Sequence, residues 1–464
     1  MRYFFLLIGL LLPTLLCAQF RIGTGEVADL YEMHCGICHG DALEGGLGGP
    51  LIGPLDYARN DAAMQMWIRA GNPALGMPAF AGTLTDPEIR SLVIYIREMR
   101  QKAERAEASG ETKQGNEFTI GDAPFIVETV IEKGLETPWS IAFMPDSSIL
   151  VTERDGRLRH FQNGKLHKAV SGTPEVWQKG QGGLMDVALH PEYAENGWIY
   201  LSFSEGAAGK GSTSIVRGRL KDNSWVDQER IFAVPKEHHY PTRHHFGTRL
   251  VFKDDYLFFA IGDRGKQDTA QDVSSPNGRV HRIYPDGRIP EDNPFRQDPQ
   301  AFPSSWTMGN RNIQGMAMHP VTGEIWATEH GPRGGDELNL IHPGLNYGWP
   351  TITYGMNYNG TPITAQTEAP GLEQPALFWT PSIAVCGIDF YQGDRFPDWS
   401  GDLFVGGLAS KELHRVRIQS GSVVEDEIIL SGYGRIRDVV TGTDGAIYLV
   451  LNSPDKIVRL VQKP

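Results

Sequence analysis

A repeat restricts this chain more than any other feature. Six stretches share a short apolar strand, a turn and a second apolar strand: WSIAFMPDSSILVTE from Trp139, LMDVALHPEYAENGWIYLSF from Leu184, TRLVFKDDYLFFAIGD from Thr248, QGMAMHPVTGEIWATE from Gln314, CGIDFYQGDRFPDWSGDLFVGG from Cys386 and RDVVTGTDGAIYLVL from Arg437. One such hairpin cannot bury its apolar face alone, so the copies must pack on one another. Radial packing does this for many similar units, whereas a two-sheet sandwich, the structural alternative, has no need of so regular a repeat. Residues 118–464 are therefore expected to form an all-β six-bladed propeller, with the strand APFIVETVI from Ala123 closing the ring on the last blade.

Ahead of the repeats the apolar period changes from two to that of a helix. EVADLYEMHC, DAAMQMWIRAG and TDPEIRSLVIYIREMRQ read as helices, the last with Thr85 as its cap and Pro87 in its first turn. The run MHCGICHG places two thiols and an imidazole at the spacing of c-type haem attachment, in which both cysteines bond the porphyrin and the histidine takes one axial iron position. Cys35 and Cys38 are then the attachment residues and His39 the proximal ligand. For the sixth position GNPALGMPAF offers Met77, stiffened by Pro78, in a pattern that resembles class I cytochromes c; Met64 and Met66 fall in a helical pattern, where packing is the usual role. His/Met ligation leaves no open iron position, so one haem c here should carry electrons. The chain from 23 to 100 is expected to be a small all-α cytochrome c domain, and the charged stretch over 101–117 a linker.

The first residues, MRYFFLLIGLLLPTLLCAQF, read as a secretory signal over 1–18, with a lipid anchor at Cys17 as the alternative. A periplasmic or secreted protein is expected, and no later segment is apolar enough to be transmembrane. A net charge of −13 without any Lys/Arg cluster excludes binding to nucleic acid through its phosphates. With Cys35 and Cys38 on haem and Cys17 removed, Cys386 stands alone in the strand pattern SIAVCGIDF, a small buried residue with no disulfide to make.

Between the strands, WQKGQGGLMDV, RHHFGTRLVF, AIGDRGKQD, MGNRNIQGMAM, EHGPRGGDELNLIHPGLNYGWP, GMNYNG and YGRIRDVVTG carry an imidazole, several guanidinium groups, amides and acidic oxygens toward one end of the ring. On these residues, above all EHGPRGGDELNLI, NYGWP and GRIRDV, the chain from about Pro124 to Leu460 resembles the soluble pyrroloquinoline quinone (PQQ)-dependent aldose (glucose) and sorbosone dehydrogenases. The resemblance implies oxidation of an aldose at its C1 hydroxyl to a lactone, with His245 as general base and Asp263 orienting it. It assigns Gln181, Arg311, Asn312, Tyr358, Arg435 and Arg437 to the quinone, whose carboxylates suit guanidinium forks. It also implies calcium: the carbonyls of Gly331 and Pro332 for an ion that polarises the quinone C5 carbonyl, and Glu337 with the Tyr347 carbonyl for a second. Electrons would then pass through the fused haem to a soluble acceptor or a respiratory chain.

One departure from the family pattern is Ala409, where several members carry a lysine that meets the quinone; Lys411 could replace it. His238, His239 and His244 beside His245 could instead be a metal cluster or a decorated loop. Two rival functions use the same fold, a calcium-dependent lactonase and a non-catalytic propeller that binds sugar or a partner. The first needs no electron carrier, and the second needs no oriented base.

Overall fold

A computed structural model describes residues 25–55, 57–108, 116–120 and 123–463; the expected signal over 1–18 with its Cys17, and residues 109–115 of the expected linker, lie outside them. The six repeats build six antiparallel sheets arranged as a propeller. Their first strands, Pro138–Phe143, Leu184–Leu189, Leu250–Lys253, Ile313–Met318, Val385–Phe390 and Arg435–Thr441, pack on one another as the inner ring. Each turns back through its hairpin into the next strand outward. The strand Ala123–Ile131 does close the ring, pairing Phe125 with Gln462 and Thr129 with Val458, and Glu117–Ile120 adds one further strand outside it. The third blade is the thinnest, with three strands and a single bridge from His281 to Ser305 where a fourth would lie.

Apolar side chains on both faces of a blade are buried between neighbours. Trp326 and Leu338 of the fourth blade pack on Val385, Phe390, Leu403 and Val405 of the fifth, and Phe404 and Leu413 of the fifth pack with Leu449, Leu451 and Phe125 of the sixth. This is why the strands read as nearly continuous apolar runs instead of strict alternation.

The ring is pinned at its centre by a charge. Arg249 reaches Asp186 at 3.0 Å and Asp438 at 2.9 Å, donates to the carbonyls of Gln314 (2.8 Å) and Arg437 (3.0 Å), and lies 4.4 Å above the Trp139 ring. One guanidinium thus ties together five blades. Removing it would strand two buried carboxylates, so Arg249→Ala is expected to cost about 3–5 kcal/mol in urea unfolding, while Arg288→Ala, at an exposed ion pair, is expected to leave the urea midpoint unchanged.

Five inner strands carry a register irregularity near their first residues, at Pro138/Ser140, Leu184/Val187, Ile313/Gly315, Val385/Ile388 and Ile436/Asp438. Bulges at strand entries re-aim the side chains there. In an antiparallel blade, the start of the first strand and the end of the second share one rim. Gln181, His245, Arg311 and Arg435 precede or open inner strands, while Asp263 and Gly331 follow second strands, so the connectivity brings all of them to one end.

The N-terminal region is helical as expected, with Gly25–Tyr31, Asp61–Ala70 and Asp86–Ala108 around a core that includes Val27, Tyr31, Met64, Ile68, Leu92 and Val93. Thr85 caps the last helix by a reciprocal box, its amide donating to Glu88 Oε2 at 2.7 Å. That helix continues through Ala108, so residues 101–108 of the expected linker are helical. Lys, Ala, Glu and Arg in that stretch are strong helix formers, and their lack of apolar residues marks exposure, not loss of helix.

Candidate active site and haem site

His245 sits with a backbone φ of 58°, a left-handed conformation unusual for a side chain of this size. Its backbone is held by Gln181, whose side-chain oxygen accepts from the His245 amide at 2.8 Å, and by Asn312, whose oxygen accepts from Gly247 at 3.1 Å. The imidazole Nδ1 is 2.6 Å from Asp263 Oδ1. Asp263 also accepts from Trp349 Nε1 at 2.8 Å and from the Gly265 amide at 2.7 Å. Three donors hold it ionised although burial opposes that, and its pKa is lowered. The ionised carboxylate fixes the tautomer with hydrogen on Nδ1, leaving Nε2 as the proton acceptor.

Burial, helped by the Arg311 charge, lowers the pKa of His245 from 6.5 to about 4. The imidazole is therefore neutral through the physiological range. In quinone-free protein an NMR titration of His245 is expected to show a midpoint near 4. The folded state excludes a proton that the unfolded chain binds, so this group's contribution to stability is complete above 6.5 and is lost as pH falls toward 4.

A cavity of about 440 Å³ opens over this pair, lined by Gln181, His244, His245, Arg311, Trp349 and Tyr358 among others. That size suits a small-molecule ligand. Arg311 donates through Nη1 to the His330 carbonyl at 2.7 Å, yet its buried Nε has no partner among the described residues. An unspent guanidinium donor beside a cavity fits a carboxylate-bearing ligand such as PQQ. A larger cavity, about 670 Å³, lies on the second blade around Trp177 and Lys210; its histidine, His239, is held by the Val234 carbonyl and not by a carboxylate.

The structure divides the sequence-assigned quinone residues. Gln181, Arg311 and Tyr358 line the cavity; Asn312, Arg435 and Arg437 do not. Arg437 instead donates to Gln314 at 2.9 Å, and Gln314 bonds His330 at 3.0 Å, which links it to Arg311 through the His330 carbonyl. Burial and the neighbouring Arg437 lower the pKa of Arg435. Ala409 and Lys411 are exposed and line none of this cavity. The four histidines do not gather: His239 bonds the Val234 carbonyl at 3.0 Å, while the rings of His244 and His245 pack 4.6 Å apart. Trp349, Gln314 and His330 were missed by residue reasoning, although NYGWP, NIQG and EHGP all stood among the motifs.

Gly331, Pro332, Glu337 and Tyr347, assigned above to two ions, line one small cavity of about 10 Å³. Glu329 joins them, a residue the sequence did not single out. Glu329 and Glu337 are directly opposed across paired strands; burial raises the pKa of both, and the Glu329 charge raises that of Glu337 further. Glu329 accepts from Asn310 at 2.9 Å and from the Arg311 amide. Opposed carboxylates beside carbonyl-bearing turns are an oxygen set that fits calcium.

In the helical region Cys35 lies in the helical segment Glu32–Gly36, and Cys38 in Ile37–His39, directly before His39. His39 Nδ1 is 2.7 Å from the Gly49 carbonyl, which makes Nε2 the ring nitrogen that a haem iron would take. A Cβ on Gly48 would come 3.0 Å from the His39 ring, so the glycine permits this approach. Met77 is held in a two-way bridge with Asn72 (2.9 and 3.0 Å) and packs on the domain core. Met64 is buried and Met66 exposed on their helix. These residues fit a haem c.

A propeller with an aspartate-oriented histidine and an unspent guanidinium in its rim cavity is built as a sugar-oxidising quinoprotein would be. A profile for the family "Glucose / Sorbosone dehydrogenase" matches residues 135–459, and the chain belongs to that family. A second profile, "Cytochrome C oxidase, cbb3-type, subunit III", matches residues 24–96. Among curated relatives, the aldose sugar dehydrogenase YliI of Escherichia coli (strain K12) is 45% identical over 331 residues, covering 69% of this chain and 88% of its own. The crystal structure of the soluble aldose sugar dehydrogenase from Escherichia coli, in its apo form, superposes with a TM-score of 0.70 at 41% identity over 73% of this chain and 100% of that one. The PQQ-bound aldose sugar dehydrogenase of Streptomyces coelicolor gives 0.61 at 26% identity, over 74% and 99%.

Proposed function

We propose that this protein is an exported, PQQ-dependent aldose dehydrogenase that oxidises the C1 hydroxyl of a sugar to the lactone and passes the electrons to its own haem c. The observation that carries the reading is the Asp263–His245 pair at 2.6 Å, set under a cavity with the unspent Arg311 donor. PQQ, when bound, supplies a two-electron acceptor, calcium the polarisation of its carbonyl, and haem a one-electron relay. His245 Nε2 takes the proton of the anomeric hydroxyl, and Asp263 stabilises the imidazolium that results. Arg311 pairs with a quinone carboxylate, and Tyr358 and Gln181 form walls of the pocket. Cys35 and Cys38 would hold the haem covalently, and His39 and Met77 would supply its iron ligands.

No helix among the described residues is long and apolar enough to cross a membrane. Export is supported by the signal-like N-terminus and by thioether haem chemistry. The electron acceptor beyond the haem would be a soluble carrier or a respiratory component.

The test is anaerobic. Holo-haem protein is supplied with PQQ and calcium, and the reduced-haem absorbance is followed after adding a panel of aldoses. Haem reduction that needs sugar, quinone and calcium together is expected. A haem that stays oxidised with every sugar, in protein that also reduces no dye, would sink the reading in favour of the lactonase or binding module. Calcium is expected to raise the melting temperature of the wild type, and a Glu329→Gln/Glu337→Gln variant to lose most of that rise, because removing both charges removes the ion's strongest ligands.

A further inference from the structure

The helical domain does not hang from the propeller on its linker; it is seated on the rim of the cavity. Arg333 forms a two-pronged pair with Glu98, with Nη2 to Oε2 at 2.5 Å and Nε to Oε1 at 2.9 Å, and the two side chains are 12% and 13% exposed. Arg90, anchored to Asp61 at 2.8 Å, donates to the Tyr354 carbonyl at 2.5 Å. Met356 is 1% exposed and belongs to the helical domain's own apolar core. Two glycines make the fit close: a Cβ on Gly334 would lie 2.5 Å from Ile94, and one on Gly360 would lie 2.9 Å from Val27.

The seat consists of two rim segments, 331–335 and 354–360, laced together by reciprocal hydrogen bonds between Arg333 and Met356 (3.0 and 2.9 Å). Along both, neighbouring residues serve opposite sides. Pro332 lines the catalytic cavity while Arg333 holds the helical domain; Asn357 and Tyr358 line the cavity while Met356 enters the domain core. The wall between cavity and haem domain is one segment thick.

We infer that this paired segment is a fixed docking surface whose partner is the chain's own haem domain, and that its seating both orders the cavity wall and sets the route by which electrons reach the haem. The inference rests on the function proposed above. Oxidation of one C1 hydroxyl to the lactone releases two electrons and two protons. The protons go to solvent. With the quinone as two-electron acceptor and the haem of the helical domain as one-electron relay, the two electrons would leave across this wall one at a time, to an external one-electron acceptor. A buried two-pronged pair is the right element to fix such a seat, because breaking one side leaves the other charge stranded.

Glu98→Arg sets like charges against each other at the seat without touching the cavity. In full-length protein, hydrogen–deuterium exchange over 354–360 is expected to rise, a readout that needs neither quinone nor turnover. With PQQ and calcium, sugar-driven haem reduction is expected to slow roughly tenfold or more, and by more than the dye-coupled sugar oxidation of the same variant, which senses only the loosened cavity wall. Adding Arg333→Glu to that variant restores the pair in reverse, and both readouts should return toward wild type. Unchanged exchange and unchanged haem reduction in Glu98→Arg would overturn the inference. So would a lost haem signal that the double variant fails to rescue, which would mean general damage to the domain. If wild-type protein oxidised no sugar even with dye, the functional reading would fail, and the exchange measurement would still decide whether the seat exists.

Discussion

His245→Asn is expected to lower dye-coupled sugar oxidation by roughly 10²- to 10⁴-fold, the usual worth of a positioned general base. Asparagine is the cleaner replacement because it tolerates the left-handed backbone that His245 occupies at φ 58°, whereas alanine would add strain to the chemical loss. The amide cannot accept a proton near neutral pH, so Asp263 and the cavity remain while the base is gone. Quinone affinity, read from absorbance on titration with PQQ, should change little. A companion variant, Trp349→Phe, removes only one of the three donors on Asp263 and is expected to cost about tenfold. Activity within threefold of wild type in His245→Asn would remove the base from the mechanism.

Cys35→Ala/Cys38→Ala is expected to abolish covalent haem, seen as loss of the haem stain after denaturing electrophoresis. Both thioether bonds disappear, and His39 with Met77 would then have to retain the porphyrin by ligation alone. Sugar-driven absorbance change at the haem should fall below detection. Dye-coupled oxidation should persist, because His245, Asp263 and Arg311 all belong to the propeller. The variant therefore separates the two halves of the proposed reaction: loss of dye-coupled activity along with the haem would mean that the haem domain takes part in the chemistry at the sugar. The helical core should also weaken, since the cluster around Tyr31 and Leu92 closes next to the attachment turn.

The repeat, the Cys-x-x-Cys-His run and the closing strand from Ala123 were all legible in the sequence, because each depends on neighbours along the chain. A hairpin's turn chemistry, a two-residue apolar period and a motif of fixed spacing are local quantities. Motifs in the loops between strands also singled out His245, Asp263, Arg311 and Gln181, which the fold brings to one cavity. The Asp86–Ala108 helix runs past the expected boundary for the opposite reason: exposed helix and exposed coil have similar composition, so polarity alone does not mark where a helix ends.

Other features come from residues far apart in the chain, and here only folding could decide. Asp263 meets Trp349 across 86 residues, and Arg249 meets Asp438 and Asp186 through the middle of the ring. Glu329 became a candidate calcium ligand only when strand register set it opposite Glu337 in a shared small cavity. Arg437 donates to Gln314, 123 positions earlier, a partner its motif does not reveal. Arg333 reads as one more basic loop residue until Glu98, 235 positions earlier, is brought against it. Local pattern settles which elements form and which chemistry they carry. Which side chains are left unspent, and toward what, depends on burial and register, which exist only once the blades close.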